Sequence, residues 1–573
     1  MIGTYAAVLA ICAASLAIGQ AAIALCGGRR WSWLAPAVGL ALLCVLCWAT
    51  VRLPGDGVIS ALAVVLTVAA AAYLRGRVEG LGSALRIGGP VALAALLAAS
   101  LPFAVEGHFG ILGTSFNPDM SQHLLAADRL AEGHSSQLLQ QGYPLGPHSI
   151  VVALNKGLGV GLVQGFSGLT IAVAVLACLT ALAAFDDLPG LPRSVGALLV
   201  GLAYVVASYF AQGAFKETMQ ALFLLAFVLA LREADRSWGD LPLRYVPAAV
   251  IGVGSVYTYS FPGLIWLGGA AVIWALLTRP VPKALGLAFV VFLVAVLPEV
   301  GRMVDFHSFE TFDPNGPGLG NLFGQISPFE ALGIWPSGDF RLAPGDGAVP
   351  AVAYYLGIAF ALALFLHGLV QLWRGRERAI LAGVGAAALA YAAARIGGTP
   401  YTAAKAIEIA APLIALVILL PPLTEARRKS QPMVDKVALP GGWAPIAAVL
   451  FVVVAGVCSF LALANAPVGP TSYSSKLSEF RKLVGEGPTL VVASPKLLEE
   501  EHGSPFLSWE LRGGRVCIRA TGEGGSLPRG IRFVIFEGLE GSDWTLKRIS
   551  DPVPGRSPCP LIAERQARQG PAR

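Results

Sequence analysis

Ionisable side chains are scarce in this chain, and four groups of them have types and spacings that can do chemistry. The first lies within Ser115-Phe116-Asn117-Pro118-Asp119-Met120-Ser121-Gln122-His123. Asn117 can cap a helix and Pro118 suits the first helical position. Asp119 then falls in the first turn, where the positive end of the helix dipole favours a carboxylate. His123, four residues on, shares that face. Met120, Leu124, Leu125 and Leu130 give the helix an apolar side that can rest on a membrane surface. An acid held this way can act as general base with His123 as its helper. It can equally well decorate a solvated interfacial helix, as can Asp128.

The second group is Tyr143-Pro144-Leu145-Gly146-Pro147-His148, just before an apolar stretch interrupted by Asn155 and Lys156. His148 can bind a phosphate or a sugar hydroxyl, or the segment can be a turn that re-enters the membrane. The third is Phe215-Lys216-Glu217-Thr218. Lys216 suits an anionic lipid headgroup or a pyrophosphate, and Glu217 can hold Lys216 in place or ligate a divalent cation. The plain alternative is a hairpin tip snorkelling into the headgroups. The fourth runs from Arg395 through Tyr401 to Lys405, with Glu408 one turn further on. Arg395 and Lys405 can clamp a lipid-linked phosphate with Tyr401 against the sugar or the isoprenoid, or Lys405 can simply pair with Glu408.

The elements that position these groups must be membrane helices. With 573 residues, 55% hydrophobic and 13% charged, and a mean hydropathy of +0.68, the chain has too little polar surface for a soluble globule of its size. The net charge of +6 is spread through short loops and a tail, where Lys and Arg set orientation, and does not point to nucleic acid. Six of the eight cysteines fall in apolar segments and read as small buried thiols, and no Cys/His cluster suggests a metal site.

The start of the chain has no basic n-region, and the apolar run to Ala24 reads as a first span rather than a cleaved signal. Further apolar segments lie near 33–51, 57–74, 87–104, 166–185, 195–213, 215–231, 245–259, 262–278, 284–300, 350–372, 379–395, 405–423 and 443–464, about fourteen in all. The run Tyr257 to Gly263 suggests a turn or a broken helix. Arginines and lysines fall in alternate connections, among them Arg29 and Arg30, Arg75 and Arg77, Arg193, Arg232 and Arg236, and Arg374 and Arg376. By the positive-inside rule those connections are cytoplasmic, which places the N-terminus, the loops 105–165 and 301–349, and the tail outside the cytoplasmic membrane. The 301–349 loop holds too many aromatic and aliphatic residues for a solvated linker and reads as functional or as a lid.

The fold class expected is an all-α polytopic membrane domain over 1–464 followed by a small extracytoplasmic α/β domain over 465–573. Candidate strands in the tail are 489–493, 515–519 and 532–536, preceded by a helix around Ser474 to Val484, and the stretch from Arg565 onward looks unstructured. Outside the cell a Cys517 to Cys559 disulfide is chemically permitted.

All four groups fall on the expected outer side. One acid and several cations at a membrane face fit a reaction in which a sugar leaves an anionic polyprenyl phosphate. The cations stabilise the developing charge, and a carboxylate takes the proton of the acceptor hydroxyl. Nucleotide sugars are cytoplasmic, so an outer site implies a lipid-linked donor.

This layout resembles the GT-C superfamily of membrane glycosyltransferases, in which the first long outer loop carries an essential Asp or Glu at the start of an interfacial helix. Asp119 would occupy that place, although in many of those enzymes the loop follows the first span and here it follows the fourth. Asn117-Pro118-Asp119, the segment 143–148, Lys216-Glu217, Gly333-Ile334-Trp335-Pro336-Ser337-Gly338-Asp339 and Tyr401 to Lys405 also look like uncharacterised actinobacterial-type membrane proteins. Those are similar in layout to arabinofuranosyl- and mannosyltransferases. The resemblance implies an inverting transferase that takes a polyprenyl-phosphate sugar to a cell-envelope glycan or glycolipid. Asp119 and His123 would be at the reacting centre, and His148, Lys216, Glu217, Arg395, Tyr401 and Lys405 would bind substrate. It implies no certain cofactor, a divalent cation being possible. A flippase for lipid-linked sugars and a non-catalytic envelope scaffold are the rival classes.

Overall fold

The fold is that of a computed structural model, which describes residues 1–74, 78–113, 119–133, 137–239, 241–307, 318–430, 443–469, 475–499, 503–523, 526–538 and 544–559. Among these residues nine helices are long and apolar enough to cross a membrane. The pair Gly190–Gly201 and Tyr204–Ala211, bent by 51° at its break, forms a broken span or a re-entrant loop. Three shorter apolar helices, Ala35–Val51, Val246–Tyr259 and Gly263–Thr278, and the helix Phe215–Arg236 account for the remaining apolar segments of the sequence. Phe215–Arg236 is apolar only in its middle, with Lys216 and Glu217 at one end and Arg232, Glu233, Asp235 and Arg236 at the other.

Burial sorts these helices into an inner and an outer layer. The Leu162–Phe185 span is buried along its whole apolar window, and the Phe215–Arg236 and Pro400–Ser430 helices pack beside it in the centre. Gly57–Leu74, by contrast, is only 17% buried, and Leu62, Val65 and Leu66 point outward. Val352 and Leu356 do the same on Ala351–Arg374, and Phe289 and Leu293 on Pro282–Val296. Apolar surface costs roughly 25 cal/mol per Å² in water, so a belt like this is stable only against acyl chains. Lys216, Glu217, Lys405 and Glu408 sit on the two inner helices Phe215–Arg236 and Pro400–Ser430, where insertion of a charge costs about 2.5–3.5 kcal/mol at mid-helix.

The expected turn near Tyr257 is a sharp break. Val246–Tyr259 ends at Ser260, whose φ of 57° lies in the left-handed region, and Gly263–Thr278 begins three residues later. In the 301–349 loop the stretch 330–342 is packed rather than solvated, while 318–320 and 345–348 are exposed. Trp335 is buried against Tyr354 at 4.9 Å, and its indole N–H donates to the Leu342 carbonyl at 3.1 Å. Residues 308–317 of that loop lie outside the described residues.

Two sheets complete the fold. Strand β1 (Ile111–Leu112) pairs antiparallel with β2 (Val468–Gly469), with Ile111 opposite Gly469. This ties the loop that carries Asp119 to the start of the tail. The tail itself holds β3 (Thr489–Ala493), β4 (Val516–Ala520), β5 (Phe533–Glu537) and β6 (Trp544–Arg548) in the order β4-β3-β5-β6. The first three are parallel and β6 is antiparallel to β5. Helices Ser475–Glu479 and Arg481–Glu486 precede β3, and Leu477, Val484, Val491, Leu511 and Ile535 form the core. Cys517 and Cys559 are joined by a disulfide. The stretch from Arg565 onward lies outside the described residues.

Candidate active site

The helix after the first long loop runs Met120–Ala131, two residues later than the capping pattern suggests, so Asp119 is its N-cap residue rather than part of its first turn. Asn117 and Pro118 lie outside the described residues. Asp119 is half-buried, and its carbonyl accepts from the backbone N–H of Gln122 at 2.9 Å and of His123 at 3.2 Å. The carboxylate therefore stands where the helix dipole favours negative charge. It is near enough to the Lys216 ammonium and the Tyr401 phenol for its charge to act on both.

His123 points into a box of rings. Its imidazole lies 5.0 Å from the Phe215 ring and 5.8 Å from Tyr143, and its Nδ1 hydrogen-bonds His148 Nε2 at 3.1 Å. His148 is fully buried on the short helix Gly146–Leu158, packed 5.4 Å from Phe166, and its Nδ1 has no hydrogen-bond partner. Removal from water disfavours imidazolium, and burial holds the His148 pKa down at about 3. His148 can therefore take up or pass on a hydrogen bond to His123 but not hold a cation at neutral pH.

Lys216 opens the Phe215–Arg236 helix. Its ammonium donates to the Tyr143 hydroxyl and lies 4.0 Å from that ring's centroid and 6.0 Å from that of Tyr259. Of the two parts open to Glu217, holding Lys216 or ligating a cation, the first does not form: Glu217 pairs with Lys405 at 3.1 Å. The reason is geometric: neighbours on a helix point about 100° apart, so Lys216 faces the Tyr143 loop while Glu217 faces the Pro400–Ser430 helix. The alternative pairing of Lys405 with Glu408 is likewise not what forms. Glu408 is fully buried one turn away, with neither carboxylate oxygen hydrogen-bonded. Lys405 Nζ also sits 4.2 Å over the Tyr401 ring.

The 318–349 loop covers this cluster. Gly320 has φ +55°, and a Cβ there would meet the Tyr401 ring at 2.7 Å, so only glycine lets the loop lie so close. Asn321 donates to the Gln212 side chain, just before the Lys216 helix begins. Arg395 stands apart. It is exposed, and its guanidinium donates to Gln325 of the same loop instead of joining the buried cluster.

The structure thus gathers Asp119, Lys216, Tyr401, Lys405 and Glu217 around one end of the bundle, with the His123–His148 pair behind Tyr143, and leaves Arg395 at the rim. Sequence reasoning quoted Tyr143 without giving it a part, and it missed Tyr259. It also missed Glu299, which is buried at the end of an apolar helix. Glu299 accepts from Trp48 at 2.6 Å, pairs with Arg302 and lies 3.7 Å from Arg52. An acid ending an apolar run with a cation three residues on was the signal available for it.

The chain matches no family model and no curated protein. Its fold is similar to that of the arabinofuranosyltransferase AftD from Mycobacteria, with a TM-score of 0.50 and 14% sequence identity over 79% of this chain and 35% of that one. The chain thus spans about a third of the length of that enzyme.

Proposed function

We propose that the chain is an inverting glycosyltransferase that moves a sugar from a polyprenyl-phosphate carrier to a cell-envelope glycan or glycolipid at the outer face of the cytoplasmic membrane. The observation that carries this reading is the convergence of one carboxylate at a helix N-terminus, Asp119, with two lysines set among tyrosines, on a fold like that of an arabinofuranosyltransferase. Asp119 accepts the proton of the acceptor hydroxyl as that oxygen attacks the anomeric carbon from the side opposite the phosphate. The bond from the anomeric carbon to the phosphate oxygen breaks with its electron pair passing to the phosphate, and the configuration inverts. Lys216 and Lys405 stabilise that charge in a site where water is scarce. Glu217 fixes Lys405, Tyr401 lies against the sugar or isoprenoid, and the His123–His148 pair holds Tyr143 and the loop behind Asp119. Arg395 meets the phosphate only at the rim. A divalent cation would find Glu217 already paired with Lys405.

The test uses purified protein and radiolabelled polyprenyl-phosphate sugars. Transfer that disappears in Asp119→Asn supports the reading; lipid crossing liposomes without transfer, or neither activity, overturns it. Sidedness is read separately. A cysteine at position 395 should react with an impermeant thiol reagent in intact cells and one at 376 only after lysis.

A further inference from the structure

The tail grips the element that carries Asp119 on both of its flanks. On the N-terminal flank, beside the β1–β2 pairing, the backbone N–H of Gly113 donates to the Pro467 carbonyl at 2.8 Å. On the other flank the tail helix Gly503–Glu510 packs across Met120–Ala131. That tail helix serves two cores. Leu507 and Leu511, four residues apart and so on one face, are buried in the tail's own core. Trp509 lies about 200° round from Leu507 at 3.6 residues per turn and is buried instead in the core of the membrane domain. Arg512 follows just past the helix end. Its guanidinium stacks 3.5 Å over the Trp509 ring, Nη1 donates to the Trp509 carbonyl at 2.7 Å, and Nε lies 3.4 Å from Asp128 Oδ1. The Arg512 and Asp128 side chains are only 20% and 16% exposed, so water and salt screen their attraction less than they would at an open surface.

We infer that Trp509 and Arg512 are positioning residues for the reaction: from the tail they hold the Met120–Ala131 helix so that Asp119 stands at its working place. The catalytic consequence rests on the glycosyltransferase reading; the grip on the helix does not. The helix contains neither glycine nor proline, the usual sites of a kink, and so moves as a rod. Asp128 lies nine positions from Asp119, roughly 13 Å along the axis at 1.5 Å per residue. A tilt of about 5° pivoting at Asp128 therefore displaces Asp119 by about 1 Å, a misplacement that can cost about a hundredfold in rate. The Arg512 ion pair and the buried Trp509 ring are the contacts that resist that tilt from the tail side.

The full-length protein in lipid nanodiscs is compared as wild type, Asp128→Asn, Arg512→Gln, the double variant, and Lys547→Gln at an exposed position of β6. Backbone hydrogen exchange read by mass spectrometry should quicken about tenfold or more over 119–131 in both single variants, while strands β3 and β5 keep their protection. In both, kcat should fall about ten- to hundredfold with the donor KM within about twofold of wild type. The double variant should be no slower than the worse single one, since both substitutions break the same contact, and Lys547→Gln should match wild type. Unchanged exchange over 119–131, faster exchange there with kcat unmoved, or strictly additive losses overturn the inference. Protection lost in β3 and β5 as well would make the effect unfolding and overturns it too. A wild-type protein without transfer sinks the enzymatic reading alone, because exchange over 119–131 still decides whether the tail holds the helix; transfer abolished by Asp119→Asn with that exchange unmoved keeps the enzyme and sinks the grip.

Discussion

The Phe215–Arg236 helix is charged at both ends, about 30 Å apart at 1.5 Å per residue, and the two ends treat their charges in opposite ways. At the Arg236 end the charges are matched. Arg232 holds Glu377 through Nε at 3.0 Å and Nη2 at 3.3 Å, Arg236 joins the same carboxylate, and Arg193 pairs with Asp186. Glu233 accepts from the Trp238 indole at 3.1 Å and from Ser32. These contacts lock neighbouring helices together and leave little for a ligand. At the Lys216 end, Lys216 meets a hydroxyl and two ring faces, and among the described residues no carboxylate forms an ion pair with it. Glu408 and His148 Nδ1 have no hydrogen-bond partners there. A buried polar atom that the protein does not satisfy is costly.

The comparison can be broken by exchanging phenotypes between the ends. Asp119→Asn should lower turnover by about 10²–10⁴-fold, the usual worth of a general base, with an unchanged melting temperature. Glu377→Ala leaves the largely buried Arg232 uncompensated and should cost about 3–5 kcal/mol of stability, with turnover per folded molecule unchanged. Thermal melts and initial rates on both variants check this. A stability loss at Asp119 with a rate loss at Glu377 would reverse the assignment. Smaller effects sharpen it. Lys216→Met removes a charged hydrogen bond to the donor, worth about 1.5–3 kcal/mol, so the donor Kd should rise roughly ten- to hundredfold. Lys405→Ala alone is a poor probe, because it strands Glu217. Lys405→Met combined with Glu217→Gln removes the pair together and should weaken the donor without a large loss of stability.

A further effect concerns pH. His148 titrates near 3 in the fold and near 6.5 when unfolded. Between those values the unfolded chain binds the extra proton, so stability falls as pH falls through that window, by at most about 1.4 kcal/mol per pH unit. Denaturation midpoints between pH 7 and pH 4 should show that slope, and His148→Gln should flatten it.

Much of this was legible in the sequence because hydropathy and charge spacing act locally. The apolar segments, the strands at 489–493, 515–519 and 532–536, and the break near Tyr257 each depend on residues close together in the chain. Which charged side chains meet depends on helix rotation and neighbour choice, which no short window carries. Thus the sequence offers Glu217 its neighbour Lys216 or a cation, whereas its partner is Lys405, 188 positions later. The two-residue pairing of Ile111–Leu112 with Val468–Gly469 and the edge strand β6 were likewise invisible, since short segments have no periodicity to read.

The most direct measurement is photo-crosslinking of the purified protein with a polyprenyl phosphate that carries a diazirine beside its phosphate, mapped by mass spectrometry. Saturable adducts are expected on peptides containing Tyr143, Lys216, Tyr259 or Tyr401. Adducts confined to the peptides around Arg236 and Glu377, or no saturable labelling, would contradict the account.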